Sequence, residues 1–327
     1  MNLFPKRNIC SFVNRLLNYK YLSKKPALFR ALTGLELPEF DSVCTHANAK
    51  YKDYEAKRLD RPNRKHKVGA GYPFKLSLQD RLLMLMIYYR LYITSTLTGV
   101  LFNLDQSNVL KDIHKLEPLV KEILPLPQKL HDKVKRLQSV EEIEVMFPGF
   151  KAFTDATDQE IPRPKNKQKR RTHYSGKRKS HTVKTQLTVN SKGLIIHKSR
   201  HVRGSIHDYA LYKHSHPTLP SRVQCGLDLG YLGVTNDFPN LNCVLPIKKK
   251  NPGRGKVGVK APELLVEQKA FNRELASERV VVEHTNSRVK KFLIWGCEFR
   301  NRLKRYDVMT DIVSGLINFR ILGSLTI

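Results

Sequence analysis

The spacing of the apolar residues changes twice along the chain, and these changes restrict the fold more than any other feature. Before Phe147 the apolar positions recur at helical intervals; from 147 to 260 they form short runs of strand length; from Pro262 helical spacing returns. The middle block holds FKAFTD (150–155), VKTQLTV (183–189), LIIHKSR (194–200), VQCGLD (223–228) and NCVLPIK (242–248), with a helical stretch, SIHDYALYKH, at 205–214. Three strands, a helix, two strands and then long helices predict a mixed α/β domain around a central sheet. A last apolar helix is expected over 307–322, and no internal repeat is seen.

The first block reads as helices interrupted by a connector. Residues 1–60 are basic and read as helical in pieces, and 58–76 reads as an exposed connector rich in turn residues and charge. Ser77 suits the N-cap of a helix carrying Leu82, Leu83, Met86 and Ile87. Thr94 or Ser95 can cap a second helix with Leu97, Val100 and Leu101 inside, and Asp105 a third with Val109, Leu110, Ile113 and Leu116 as its apolar face. A short helix, a tight turn and a helix opening with Gln106, Ser107 and Asn108 is the helix-turn-helix pattern, in which those first residues read base edges. An ordinary helical hairpin would have the same spacing.

Charge favours the nucleic-acid reading. Lys and Arg number 59 against 29 Asp and Glu, a formal net charge of +30, so a polyanionic partner is expected. No run of about 18 apolar residues is present, so no membrane span is expected. The N-terminus lacks the apolar core and cleavage site of a signal peptide. The five cysteines show no CxxC and read as reduced thiols of a cytosolic protein, without zinc. The stretch Ile161–His207 contains no Asp or Glu. Within it Lys177, Arg178, Lys179 and His181 fall between two predicted strands, as expected of a hairpin or loop that contacts phosphates rather than a merely solvated face.

Where acids are scarce, those beside strands stand out. Asp155 and Asp228 follow apolar strands, with Gly230 and Gly233 making a turn beyond Asp228. Glu283 follows three valines on the late helix and shares a face with Arg279, Asn286, Ser287 and Lys290. Since three consecutive valines cannot all point one way, this segment is expected to be buried on most sides, with Glu283 turned toward the sheet. Taken singly, each acid reads more readily as a surface carboxylate or a cap than as a metal ligand. Asp158 and Glu160 compete with Asp155, and Asp208 is a candidate for a supporting or capping role. If Asp155, Asp228 and Glu283 converge, they form an all-oxygen site suited to Mg²⁺.

The segments DATDQEIPRP, YSGKRKSHTVKTQLTV, GSIHDYALYK, GLDLGYLG, LPIKKK and RVVVEHTNSRVKKF occur in an order that resembles bacterial insertion-sequence transposases of the DDE superfamily. The group is the one named after insertion sequence five, whose catalytic domain is similar to that of the Harbinger elements. The likeness covers roughly residues 50–322. It implies an RNase H-like catalytic domain over 145–327, with a central mixed five-stranded sheet flanked by helices. Ahead of it would lie a helix-turn-helix domain over 61–140 and a basic helical region over 1–60. Asp155, Asp228 and Glu283 match the family's catalytic and metal-binding acids, with Arg279 and Lys290 flanking the Glu as DNA contacts. Two Mg²⁺ ions per site, replaceable by Mn²⁺, are implied. So are double-stranded DNA partners (terminal inverted repeats and target), a homodimer on DNA, and a cytoplasmic, nucleoid-associated location. Ala276 and Asp158 depart from the family pattern, which often has Tyr and Glu there, without removing a catalytic carboxylate. A DNA-binding regulator without catalysis, or an RNase H-like nuclease that only cuts, are the alternatives at this stage.

Overall fold

A computed structural model describes residues 17–62, 73–249 and 262–325. Cys10 and most of the predicted connector lie outside these residues. The chain forms two compact units: residues 1–125, 290–297 and 308–326, and residues 126–289 with 298–307.

The first unit is all-helical. It contains α1 (Tyr19–Leu22), α2 (Pro26–Thr33), α3 (Leu37–Leu59), α4 (Leu78–Leu91), α5 (Ser95–Phe102) and α6 (Gln106–Ile123). Helix α4 is its axis: every residue from Arg81 to Tyr89 is buried, as expected of a helix surrounded by others. Ser77 caps it, its hydroxyl accepting from the Asp80 N–H at 3.1 Å. Two buried polar contacts tie α4 to α6. Arg81 makes a two-pronged pair with Asp112, both bonds 3.1 Å, and the Tyr89 hydroxyl donates to Glu117 at 2.9 Å.

Thr94 caps α5, accepting from the Leu97 N–H, and Asp105 takes the N-cap position of α6. The apolar face of α5 differs from expectation. Leu97 and Val100 are 46% and 59% exposed, while Thr98, Gly99 and Phe102 are buried. The turn explains this rotation. The Leu104 N–H bonds to the Gly99 carbonyl at 2.8 Å, and a Cβ on Gly99 would stand 2.4 Å from the Leu104 oxygen, so only glycine admits the α5–α6 turn.

The second unit carries α7 (Pro127–Val134), α8 (Val140–Met146), β1 (Lys151–Glu160), α9 (Lys167–His173), β2 (Tyr174–Ser175), β3 (Ser180–Asn190), β4 (Ile195–Lys198), β5 (Val202–Arg203), α10 (Asp208–His214), β6 (Gln224–Gly226), α11 (Val234–Asp237), β7 (Cys243–Val244) and α12 (Val266–Lys290). After these come α13 (Leu293–Gly296), in the first unit, and α14 (Tyr306–Leu322), which belongs to that unit from Val308 onward. The sheet runs β2-β3-β1-β6-β7, with β4 and β5 also paired to β3. β1 is antiparallel to β3 and parallel to β6, and β6 is parallel to β7. This is the RNase H-like arrangement, with the short β2 and β5 added to the predicted five strands.

Asp155 does not end its strand. β1 continues to Glu160 because pairing with β3 holds it along its length, with the polar Thr157 and Gln159 buried between more exposed neighbours. The parallel partner β6 does stop at Gly226, so on that side Asp155 stands at the sheet's carboxyl edge.

Candidate active site

The parallel register brings the first two acids level. Lys151 pairs with Gln224 and Phe153 with Gly226. Two residues further along each chain lie Asp155 and Asp228, at the carboxyl ends where α/β sheets hold their ligands. Close packing permits this register: a Cβ on Gly226 would stand 2.8 Å from the Phe153 ring. Asp228 caps the single turn Leu229–Tyr231, its carboxylate accepting from the Leu229 N–H at 2.7 Å, and is otherwise exposed.

Helix α12 supplies the third side. Leu275, Val282 and Val289, spaced by seven, are buried with Thr285 between them and form the stripe that packs down. Of the three consecutive valines only Val282 is fully buried, and Glu283 is exposed, contrary to the expectation of a segment enclosed on most sides. A helix turns each residue about 100° from the last, so one valine in three can join the stripe. Glu283 lies on its flank, and the residues four before and three after it both reach the sheet acids. Arg279 Nη1 stands 3.8 Å from Asp228 Oδ1, and Asn286 Nδ2 donates to Asp155 Oδ2 at 3.0 Å. Since i−4 and i+3 neighbours share a face, Glu283 is carried between two contacts that hold the other acids. Lys290, the last residue of α12, lies two turns further on.

Burial drives the Asp155 carboxyl up to about 6. The Ala156 N–H and the Arg279 charge oppose the rise, while the negative charges of Asp208 and Asp228 add to it. Asp158 is also raised, first by burial and then by Asp208, against the pull of Lys184, Arg178 and Lys177. Lys184 is the local counter-charge: it pairs with Asp208 at 2.6 Å and donates to the Ile206 carbonyl at 2.7 Å. Asp208 sits in the first turn of α10, and Tyr231, buried with its hydroxyl unpartnered, lies close enough to Asp155 and Asp208 that burial and their charges hold its phenol far above its ordinary range.

The donor set is purely carboxylate oxygen, and burial first, then the negative charges of Asp208 and Asp228, raises the central acid despite Arg279. A hard divalent cation answers both conditions, so the residues fit one. Among the described residues no three His, Cys, Asp or Glu side chains are drawn into a closed set of ligands. The acids share a region rather than a sphere.

The candidate DNA contacts are placed as follows. Gln106, Ser107 and Asn108 are exposed in the first turn of α6, the second helix of the helix-turn-helix. Lys177, Arg178 and Lys179 are exposed on the turn joining β2 to β3, with Arg178 Nε 3.9 Å from Asp158 Oδ2, and His181 is half-buried with its ring against Tyr174. Reading the sequence alone put Asn286 on the right face of α12 but missed its bond to Asp155, and it missed the Lys184–Asp208 pair. The helical interval from Glu283 to Asn286 was the available signal for the first; nothing local marks the second.

Residues 154–318 match the family described as DDE superfamily endonuclease, and residues 74–126 match the helix-turn-helix of DDE superfamily endonuclease. The chain is 33% identical over 259 residues to a probable transposase for insertion sequence element IS702 from Microchaete diplosiphon, covering 79% of this chain and 86% of that protein. No solved structure matches. With these matches laid over a helix-turn-helix and an acid-lined RNase H-like sheet, the chain belongs to the insertion-sequence transposases of the DDE endonuclease superfamily.

Proposed function

We propose that this DNA transposase hydrolyses the phosphodiester at each terminal inverted repeat of its element and transfers the freed 3′-OH ends into target DNA. The observation that carries the reading is the level placement of Asp155 and Asp228, with Glu283 on the α12 face between Arg279 and Asn286. Asp155, Asp228 and Glu283 are the catalytic acids and would hold the divalent ions, two Mg²⁺ per site with Mn²⁺ as a substitute. Such ions supply the positive charge that makes water or a 3′-OH a competent nucleophile and steadies the leaving oxygen.

The protein's own residues perform the positioning. Asn286 fixes the rotation of the Asp155 carboxylate, and Arg279 places a positive charge beside Asp228 where a scissile phosphate would lie. Lys290 continues this charge along α12. Lys177, Arg178, Lys179 and His181 contact the backbone of end or target DNA. Gln106, Ser107 and Asn108 read base edges in the inverted repeat from the start of α6. Two ends are joined in one event, so the working form is a homodimer on DNA, acting in the cytoplasm at the nucleoid of a prokaryotic cell. The helical unit recognises ends and the sheet-containing unit performs the chemistry.

An excision-and-integration assay in cells tests this reading. A donor carries a resistance marker between the element's own ends, and wild type is compared with Glu283→Gln. Insertions with wild type and none with the variant, while both retain the ends in a gel shift, are expected. Equal insertion by both would remove Glu283 from the catalytic set, and binding without cutting by wild type would favour a DNA-binding regulator.

A further inference from the structure

The segment from Ile161 to the start of β3 is an insertion between two core strands, and among the described residues all but one of its lysines and arginines lack an acidic partner. It consists of a loop, helix α9 and the β2–β3 turn. Lys165, Lys167, Lys169, Arg171, Lys177 and Lys179 are all exposed, and the nearest acid in the sequence after Glu160 is Asp208. Arg178 alone in this arm pairs with an acid among the described residues, at a loose 3.9 Å from Asp158. The arm is nonetheless firmly built. Asn166 caps α9 through the Lys169 N–H at 3.0 Å, and the Ser205 hydroxyl donates to the Thr172 carbonyl at 2.6 Å. The Lys179 N–H closes the turn on Ser175 at 2.8 Å. Lys179 holds a left-handed backbone, φ 56°, which a long side chain rarely adopts without gain elsewhere.

A rigid surface of like charges repels itself and is relieved by a polyanion. Its place relative to the acids is set by the sheet. Asp155 faces Leu187 on β3, and the turn meets β3 at Ser180, seven residues away. At ~3.3 Å per residue this is roughly 23 Å. Along a B-form duplex lying parallel to β3 and rising about 3.4 Å per base pair, the same span is about seven base pairs. The charges of Lys177 and Arg178 are felt at Asp158, and that of Asp208 at both Asp158 and Asp155, so a chain of charge joins the arm to the acids.

We infer that this arm binds the phosphate backbone of duplex DNA about seven base pairs from the scissile phosphate, without regard to sequence. The inference rests on the transposase reading for its scissile phosphate, but the binding itself needs no cleavage.

The test uses the full chain in chelator, so that nothing is cut. Affinity for an element-end duplex and for a random duplex is measured against salt concentration for wild type and for Lys167→Gln, Lys169→Gln, Arg171→Gln and Lys177→Gln combined. The slope of log affinity on log salt should fall by about 3.6, given ~0.9 per lost phosphate contact, with the same proportional loss on both duplexes. Hydroxyl-radical protection about seven base pairs from the cut should vanish while protection elsewhere remains. A control with the three lysines changed to Arg should keep the wild-type slope, and equal melting temperatures should show that the arm still folds. An unchanged slope, a loss confined to the cognate duplex, or a preference for single strands would overturn the inference. Failure of wild type to cut the same element-end duplex once Mg²⁺ is added back would instead count against the transposase reading and leave these slopes interpretable.

Discussion

Asn286 donates one end of its amide to Asp155 at 3.0 Å, while the other end, Oδ1, is buried without a hydrogen-bond partner. A buried amide oxygen left unpaired costs free energy, so the bond to Asp155 holds the side chain in place at a cost to the fold. Residues that orient metal-binding carboxylates typically cost 10–100-fold in metal affinity or activity when removed. Asn286→Ala should therefore lower cleavage about 10–100-fold and raise the divalent-ion concentration giving half-maximal rate. Asn286→Asp should add negative charge beside a carboxyl already near 6 and move the acid limb of the pH–rate profile upward. A titration of cleavage with Mg²⁺ and Mn²⁺, repeated across pH, checks both; an unchanged metal requirement in the Ala variant would reduce Asn286 to packing.

The Arg81–Asp112 pair is buried at both ends, so removing one partner strands a charge. Asp112→Ala should destabilise the helical unit by about 3–5 kcal/mol, and replacing both residues by apolar ones should cost far less. Urea unfolding of wild type and the two variants, followed by helical circular dichroism, measures the difference.

Gly99 admits the close approach of Leu104 that shapes the α5–α6 turn. Gly99→Ala forces these backbones apart, a strain of about 1–3 kcal/mol. Binding to the element's ends should fall much more than binding to random duplex, because the first turn of α6 is displaced. Competition gel shifts with cognate and random DNA separate the two effects.

His197 is held neutral. Burial, then the neighbouring His131 and Lys198, lower its pKa from 6.5 to about 3. Between those values the unfolded chain takes up a proton that the folded chain refuses, so acidification favours unfolding. This contribution is complete above pH 6.5 and is lost as pH falls toward 3. Discounted for partial exposure, it should reach on the order of 1–3 kcal/mol at pH 4. His197→Gln should flatten the fall in melting temperature between pH 6.5 and 4; a fall as steep as wild type would place the acid sensitivity elsewhere.

The fold was legible where periodicity and turn chemistry agree. Ser77 and Thr94 announce their helices, and the apolar runs give the five main strands in order. The face of α5 was not legible, because it is set by contact between Gly99 and a turn rather than by hydrophobicity. The reach of β1 past Asp155 was hidden for a similar reason: its later residues are polar, and pairing with β3 rather than composition keeps them extended. At the site, scarcity of acids singled out Asp155, Asp228 and Glu283. Asn286 and Lys184 carry no such mark, since an amide and one more lysine are unremarkable in this composition until the fold shows what they touch.

The level placement of Asp155 and Asp228 depends only on the short parallel ladder from Lys151 to Phe153 and Gln224 to Gly226. Between those strands β3 pairs with β1, while the arm and α10 are detours outside the three rungs of this ladder. Length gained or lost in these detours leaves the acids side by side, whereas one residue inserted between Phe153 and Asp155 turns the first acid to the opposite face of the sheet. On the proposed reading the chemistry and the grip on DNA then lie on separately editable stretches of chain, so the arm could be lengthened, shortened or exchanged while Asp155 and Asp228 stay in register.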